Sequence, residues 1–198
     1  VYEAGMVSEK TMKVDTLAGT VVPEVFLDEN GSVATVRVDM GPPELACSKI
    51  PFDCPRDRAV EEPLETDAGT VAVTTVSMGN PHAVIFVDDL DAVDVAAVGP
   101  VIETHPAFPE KTNVQFVAVK SRTELRMRVW ERGAGITLAC GTGACACLTA
   151  ACLTGRSESS ATVRLDGGDL AITWDRERNR IFMQGPARLA FTGKIRVG

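Results

Sequence analysis

The sequence predicts an α/β fold, and three observations carry that expectation. Leu125, Met127 and Val129 alternate with Glu124, Arg126 and Arg128, the period of a strand with one buried face. Ala144, Cys147, Leu148, Ala151 and Cys152 then fall at i, i+3, i+4, i+7 and i+8, one apolar helix face, and Gly155 stands where a left-handed helix stop is expected. Finally, the order helix, Gly5, strand, Gly19, hairpin, Gly41-Pro42 recurs as helix, Gly155, strand, Gly168, hairpin, Gly185-Pro186. Internal repeats disclose architecture: if this one is real, the helix ending at Gly5 is expected to have its own glycine-rich entrance upstream of Val1; the plain alternative is two ordinary hairpins that resemble each other.

Between the strand and the helix runs Glu131-Arg132-Gly133-Ala134-Gly135-Ile136-Thr137-Leu138-Ala139-Cys140-Gly141-Thr142-Gly143. It reads as a glycine-rich turn with a cysteine at the helix entrance. Orphan N–H groups and the positive end of the helix dipole favour a thiolate there, and glycines let a ligand approach the backbone.

In chain order, Val1 to Gly5 reads as the last turn of a helix, with neither an initiator Met nor a cap before it, as in a chain cut into. Met12 to Thr16, Leu17-Ala18-Gly19 and a strand from Thr20 to Leu27 follow. Asp28-Glu29-Asn30-Gly31 carries a hairpin signal, and residues 33–38 alternate in the returning strand. The polar, proline-containing stretch Glu44 to Asp67 is the candidate domain connection or edge excursion. Strands are expected at Thr70 to Ser77 and Ala83 to Val87, joined by Met78-Gly79-Asn80-Pro81-His82. Asp91 or Asp94 is the expected cap of a short helix bearing Val95, Val98 and Ile102. Further strands are expected at Val114 to Val119, around Val163 to Leu165, Asp169 to Trp174 and Ile181 onward.

With 198 residues and 45% hydrophobic content, the chain can bury one large or two small cores. It has no apolar run of bilayer length and no signal-peptide layout, so no membrane partner is expected and a cytoplasmic location is. The net charge of −7 argues against a nucleic-acid partner. Four of the six cysteines crowd into one helical stretch, which suits a reducing compartment better than a disulfide framework. No metal is expected: Cys140, Cys145, Cys147 and Cys152 point to different sides at 100° per residue, and there are only two histidines.

Glu131-Arg132-Gly133-Ala134-Gly135 with Ala139-Cys140-Gly141-Thr142-Gly143-Ala144, Met78-Gly79-Asn80-Pro81-His82 and Asn113-Val114-Gln115-Phe116 together resemble the diaminopimelate epimerase family. The likeness runs from Val1 to the closing Gly-Lys-Ile-Arg-Val. It implies a cofactor-independent epimerase of two pseudo-symmetric domains, each a sheet or barrel around a central helix, with the amino-acid substrate in the cleft between them. LL- and meso-2,6-diaminopimelate would be interconverted, in bacterial lysine and peptidoglycan biosynthesis. The resemblance matches Cys140 to the family's second catalytic cysteine, and His82 and Glu131 to its site histidine and glutamate. Asn80 and Asn113 match substrate-holding asparagines, Arg132 a carboxylate-gripping arginine, and Gly141 and Thr142 backbone donors. The family's first cysteine motif, Cys-Gly-Asn-Gly, has no match, so the first domain is expected to be incomplete. Residues 1–40 and 189–198 would be its remnant, and 41–188 the C-terminal epimerase domain. Ile136 replaces a polar residue, usually Glu, which bears on substrate choice.

Each residue also has a plainer reading. A cysteine is often a small core residue, as expected for Cys145, Cys147 and Cys152. Cys140 instead suits a two-base exchange, because thiol and thiolate swap roles on each turnover. The glycines beside it serve a tight turn, carbanion stabilisation through backbone N–H groups, or both. His82 could orient or ionise a thiol, though a lone histidine at a strand start is more often structural. Glu131 and Arg132 form either a surface ion pair or a grip on amine and carboxylate. Asn80 and Asn113 are turn formers or convergent amides. His105 reads as solvated loop, and Cys47 and Cys54 carry no assignment. The rival functions are another racemase of this fold, for histidine or proline, and a binding or assembly module. A cysteine hydrolase built on Cys140 and His82 would want an oxyanion pocket and a residue orienting the base, and the sequence assigns neither. The incomplete domain should expose apolar surface, so that self-association, as a homodimer, is expected.

Overall fold

The computed structural model describes residues 1–196 other than Leu17, Ala18 and Ala68, and of Thr16 the backbone alone. Leu17 and Ala18 of the expected connection, and the closing Val197, lie outside the described residues. The chain divides into two compact units, Val1–Val38 with Gln184–Gly198, and Asp39–Met183.

In the smaller unit, residues 1–6 form a turn in which Gly5 N–H donates to Tyr2 O (2.9 Å) and Met6 N–H to Val1 O (3.0 Å), with Gly5 at φ 66°. This is the hydrogen-bond pair of a Schellman stop. Strands β1 (Val14–Thr16) and β2 (Gly19–Val21) form a hairpin in which Thr16 faces Gly19. The single strand expected from Thr20 to Leu27 breaks at Val22, and β3 (Pro23–Leu27) pairs antiparallel with β4 (Val33–Gly41). Asp28 makes the turn between them: its carboxylate accepts from the N–H groups of Asn30 and Ser32, both at 2.9 Å.

The larger unit begins with the stretch expected as a domain connection or an edge excursion. That stretch is packed: its sparse apolar residues Cys47, Ile50, Phe52, Ala59 and Leu64 are all buried. Strands β5 (Glu62–Thr66), β6 (Gly69–Ser77) and β7 (Pro81–Phe86) follow, then helix α1 (Val95–Glu103), capped by the Asp94 carboxylate on Ala97 N–H at 3.1 Å. Next come β8 (Asn113–Ser121), β9 (Glu124–Glu131), the short β10 (Gly135–Thr137) and helix α2 (Gly141–Leu153). Strands β11 (Ser160–Leu165), β12 (Gly168–Asp175) and β13 (Arg180–Gly185) complete it. The sheet order is β13-β12-β11-β9-β8-β7-β6-β5, with β10 on β9. The β7–β8 and β9–β11 pairs are parallel.

Helix α2 packs against β6, β7, β8, β9, β11 and β12. The expected single apolar face is a correction: every residue from Gly143 to Ala151 is buried, so the middle of α2 is enclosed on all sides. Small side chains at Ala144, Ala146, Ala150 and Ala151 permit this, and the enclosure leaves no polar stripe to face water. Cys145 and Cys147 are buried in this core, whereas Cys152 is half-buried, its thiol donating to Glu158 O at 3.1 Å. Helix α1 packs on β8, β9 and β10, over a second core that includes Ile85, Ile102, Phe108, Val114 and Phe116. His105 is another correction. It is half-buried, with Nε2 2.8 Å from Glu65 O and Nδ1 accepting from Ala107 N–H, so it ties the turn after α1 to β5.

The repeat recurs in hydrogen bonds. At Gly155, N–H donates to Cys152 O (3.3 Å) and Arg156 N–H to Ala151 O (2.8 Å), the same pair as at Gly5. Leu165 pairs with Gly168 as Thr16 pairs with Gly19. No helix among the described residues is long and apolar enough to cross a membrane.

Candidate active site

Sheet register brings the candidate residues together. His82, second in β7, pairs with Asn113; Val84 pairs with Gln115, and Gln115 with Val129. Val84 and Val129 belong to the core around α2, so His82, Asn113, Gln115 and Glu131 stand on the face turned toward that helix. The β6–β7 turn makes this start possible: Gly79 adopts φ 93°, and Ser77 meets Pro81 across the hairpin.

Cys140 is the N-cap of α2, in extended conformation and 7% exposed. Its carbonyl accepts the first helical bond, from Ala144 N–H at 2.9 Å. The Gly141 and Thr142 N–H groups open the helix, where α-geometry provides no intrahelical acceptor. Cys140 Sγ lies 3.6 Å from Thr142 Oγ1, which accepts from Asn80 Nδ2 at 3.4 Å. Asn80 Oδ1 lies 3.0 Å from His82 Nε2. Since Oδ1 can only accept, Nε2 carries the ring proton. The Thr142 hydroxyl, accepting from Asn80, keeps its own proton for the sulfur. A polarised path thus runs from His82 through Asn80 and Thr142 to Cys140.

Two ionisation expectations change. Burial pushes the Cys140 thiol up from its ordinary range. The Thr142 hydroxyl and Gly143 N–H oppose this, and Glu131 adds to it. The helix entrance does supply donors, but enclosure outweighs them and the resting sulfur is a thiol. His82 is fully enclosed, and burial takes its pKa down to about 3, against a smaller opposing contribution from Gln115 and helped by the charge of Arg132. It is therefore neutral near pH 7.

The glycine-rich turn contains the hairpin β9–β10, which the sequence did not suggest. Gly133 and Gly135, at φ 76° and 80°, let Trp130 face Ile136 and Val129 face Thr137. Folding back puts Thr137 Oγ1 2.5 Å from Glu131 Oε1, fixing that carboxylate. Arg132 is exposed; its guanidinium donates to Glu110 O at 2.9 Å and has no carboxylate partner among the described residues. Asn113 is buried, Nδ2 donating to Pro81 O (2.8 Å) and Oδ1 accepting from Arg132 N–H (3.0 Å). It braces β7 and the Arg132 turn. Gly141 and Gly143 have no positive φ; they provide room. A Cβ on Gly141 would meet Met183 Sδ at 2.9 Å, and one on Gly143 would meet Cys140 Sγ and Gln115 Nε2 at 3.1 Å each.

Three contributors escaped the sequence reading. Glu103, buried at the end of α1, accepts from Trp130 Nε1 (2.6 Å) and Gly133 N–H (3.1 Å), holding the turn that bears Glu131 and Arg132. Thr137 and Gln115 are the others. No spacing marked them, although Gln115 lies inside a quoted motif. Among the described residues no three His, Cys, Asp or Glu side chains converge as a metal site.

The diaminopimelate epimerase family profile matches residues 74–190. The diaminopimelate epimerase of Desulforapulum autotrophicum is 53% identical over 197 residues, 100% of this chain and 70% of that protein. The chain belongs to the diaminopimelate epimerase family. The family's member in Pelotomaculum thermopropionicum is likewise 53% identical, over 98% of this chain and 68% of its own length. Solved structures share the fold at low identity. A hydroxyproline epimerase from Agrobacterium vitis with bound trans-4-hydroxy-L-proline superposes with a TM-score of 0.67 at 18% identity, over 93% of this chain and 59% of that one. A probable proline racemase from Agrobacterium radiobacter with bound carbonate gives 0.66 at 16%, over 96% and 64%.

Proposed function

We propose that this chain supplies one acid–base face of a diaminopimelate epimerase, with Cys140 as the group that exchanges the substrate's α-proton. The observation that carries the reading is the path His82–Asn80–Thr142–Cys140, ending on a sulfur at the first turn of α2. The Cys140 thiol gives its proton to the α-carbon as a base on the opposite face removes one; on the reverse turnover the thiolate takes the proton back. The carbanion formed between these events places charge on the substrate carboxylate. The Gly141 and Thr142 N–H groups meet it with donors already in place. Arg132, without a carboxylate partner among the described residues, is placed to grip a carboxylate, and Glu131, held by Thr137, to receive the ammonium or tune the thiol. Asn80 relays polarity from neutral His82, and Asn113 positions the Arg132 turn.

The 198 residues contain no Cys-Gly-Asn-Gly. Inversion therefore requires a second thiol, and this chain alone is expected not to invert its substrate. The test is deuterium incorporation and inversion of LL-diaminopimelate in heavy water by a polypeptide containing this chain and the second thiol. Inversion is expected, and Cys140→Ala should abolish it while leaving the circular dichroism unchanged; retained turnover would refute the reading. Proline, hydroxyproline and histidine in the same assay separate it from other racemases of the fold, and no turnover of any amino acid would favour a binding module. Exposed Val1, Met6, Leu189, Phe191 and Ile195 in the smaller unit support self-association, read by light scattering.

A further inference from the structure

Gln115 is wholly buried beside the site, yet neither its Oε1 nor its Nε2 has a partner of hydrogen-bonding geometry, and the same holds for His82 Nδ1. A buried, idle carboxamide is costly, so its persistence needs a reason. Its position supplies one. Nε2 and Cys140 Sγ lie within 3.1 Å of one point, the place a Cβ on Gly143 would take, so amide and sulfur border the same small gap.

We propose that Gln115 is a positioning residue for the Cys140 thiolate: an N–H of its amide engages Cys140 Sγ once the thiol has lost its proton. The resting thiol has little use for the donor, which is why the amide is idle in the neutral state. The thiolate left after proton transfer is a strong acceptor in a water-poor site, where a donor fixed in advance needs no reorganisation. Gly143 keeps the gap open, since any side chain there would separate the two groups. The inference deepens the assignment of Cys140 as the exchanging group, and its test does not depend on turnover.

The experiment follows the alkylation rate of Cys140 by iodoacetamide against pH, resolved from the other thiols by peptide mass spectrometry, in the unaltered chain and in Gln115→Met. Methionine keeps the volume and removes both polar atoms. Loss of the donor should raise the thiol pKa and slow alkylation near pH 7.5 by about tenfold, the scale of one hydrogen bond to a charged group, without lowering the melting temperature. The chain has two glutamines, Gln115 and Gln184, so glutamine-selective 15N labelling reads the same event without a Gln115 variant. The Gln115 side-chain resonance should move with the Cys140 titration and stop moving in Cys140→Ala. Should Gln115→Met fail to fold, the resonance decides alone. An alkylation profile unchanged in Gln115→Met, or a resonance flat through the titration, overturns the proposal. Loss of the Cys140→Ala effect on inversion would instead overturn the assignment of Cys140.

Discussion

Gly143 holds open the space beside Cys140: a methyl group on it would stand 3.1 Å from the sulfur and 3.1 Å from the Gln115 amide. Both neighbours are enclosed by the core around α2 and have little room to retreat. Gly143→Ala is accordingly expected to cost about 1–3 kcal/mol despite alanine's better helix propensity. Urea denaturation measures this, and a variant at least as stable as the parent would contradict the packing described.

Glu103 accepts from both the Trp130 indole and the Gly133 N–H. Glutamine at this position must turn one N–H group toward a donor. Glu103→Gln should therefore destabilise the chain by about 1–3 kcal/mol and loosen the turn bearing Glu131 and Arg132. Denaturation together with amide hydrogen exchange at Gly133 checks both effects.

Gly99 in α1 lies flat against Trp130. A Cβ there would sit 2.5 Å from Cγ and 2.6 Å from Cβ of that residue, closer than real contacts permit. Gly99→Ala should lower the melting temperature, with a cost of about 1–3 kcal/mol, because helix and indole must part. A smaller residue at Trp130 should relieve the clash while opening a cavity, so the two substitutions should not be additive.

His82 makes the stability pH-dependent. Its pKa falls from 6.5 to about 3 on folding, so between those values the unfolded chain binds one more proton than the native one. Its contribution is complete above pH 6.5 and is lost as pH falls toward 3, at about 1.4 kcal/mol per pH unit. His82→Gln, which keeps a donor for Asn80, should lack that part of the slope. The difference between the two urea-stability profiles from pH 7 to 4 isolates the histidine from the carboxylates.

Much of this was legible in the chain because it follows from local chemistry. The alternation over Glu124–Trp130, a helix cap at Asp91 or Asp94 and the Gly155 stop each act over a few residues, and each has its counterpart in the structure, the cap at Asp94. The β9–β10 hairpin was not legible, because Gly133 and Gly135 permit many conformations and pairing with β9 selects one. Glu103, Thr137 and Gln115 stayed hidden for a related reason: each stands beside a residue 27, 6 or 25 positions away, and no periodicity encodes such reach.

The sequence by itself determined the α/β class, the repeat of glycine-stopped units and a cysteine where strand hands over to helix. Those are set by backbone freedom and side-chain spacing. The tertiary structure alone decided that α2 is enclosed on every side, that His82 is neutral and Cys140 a thiol at rest, and that Asn113 serves the backbone. Ionisation and hydrogen-bond partnership depend on what surrounds a group in space, and strands distant in the chain supply those surroundings.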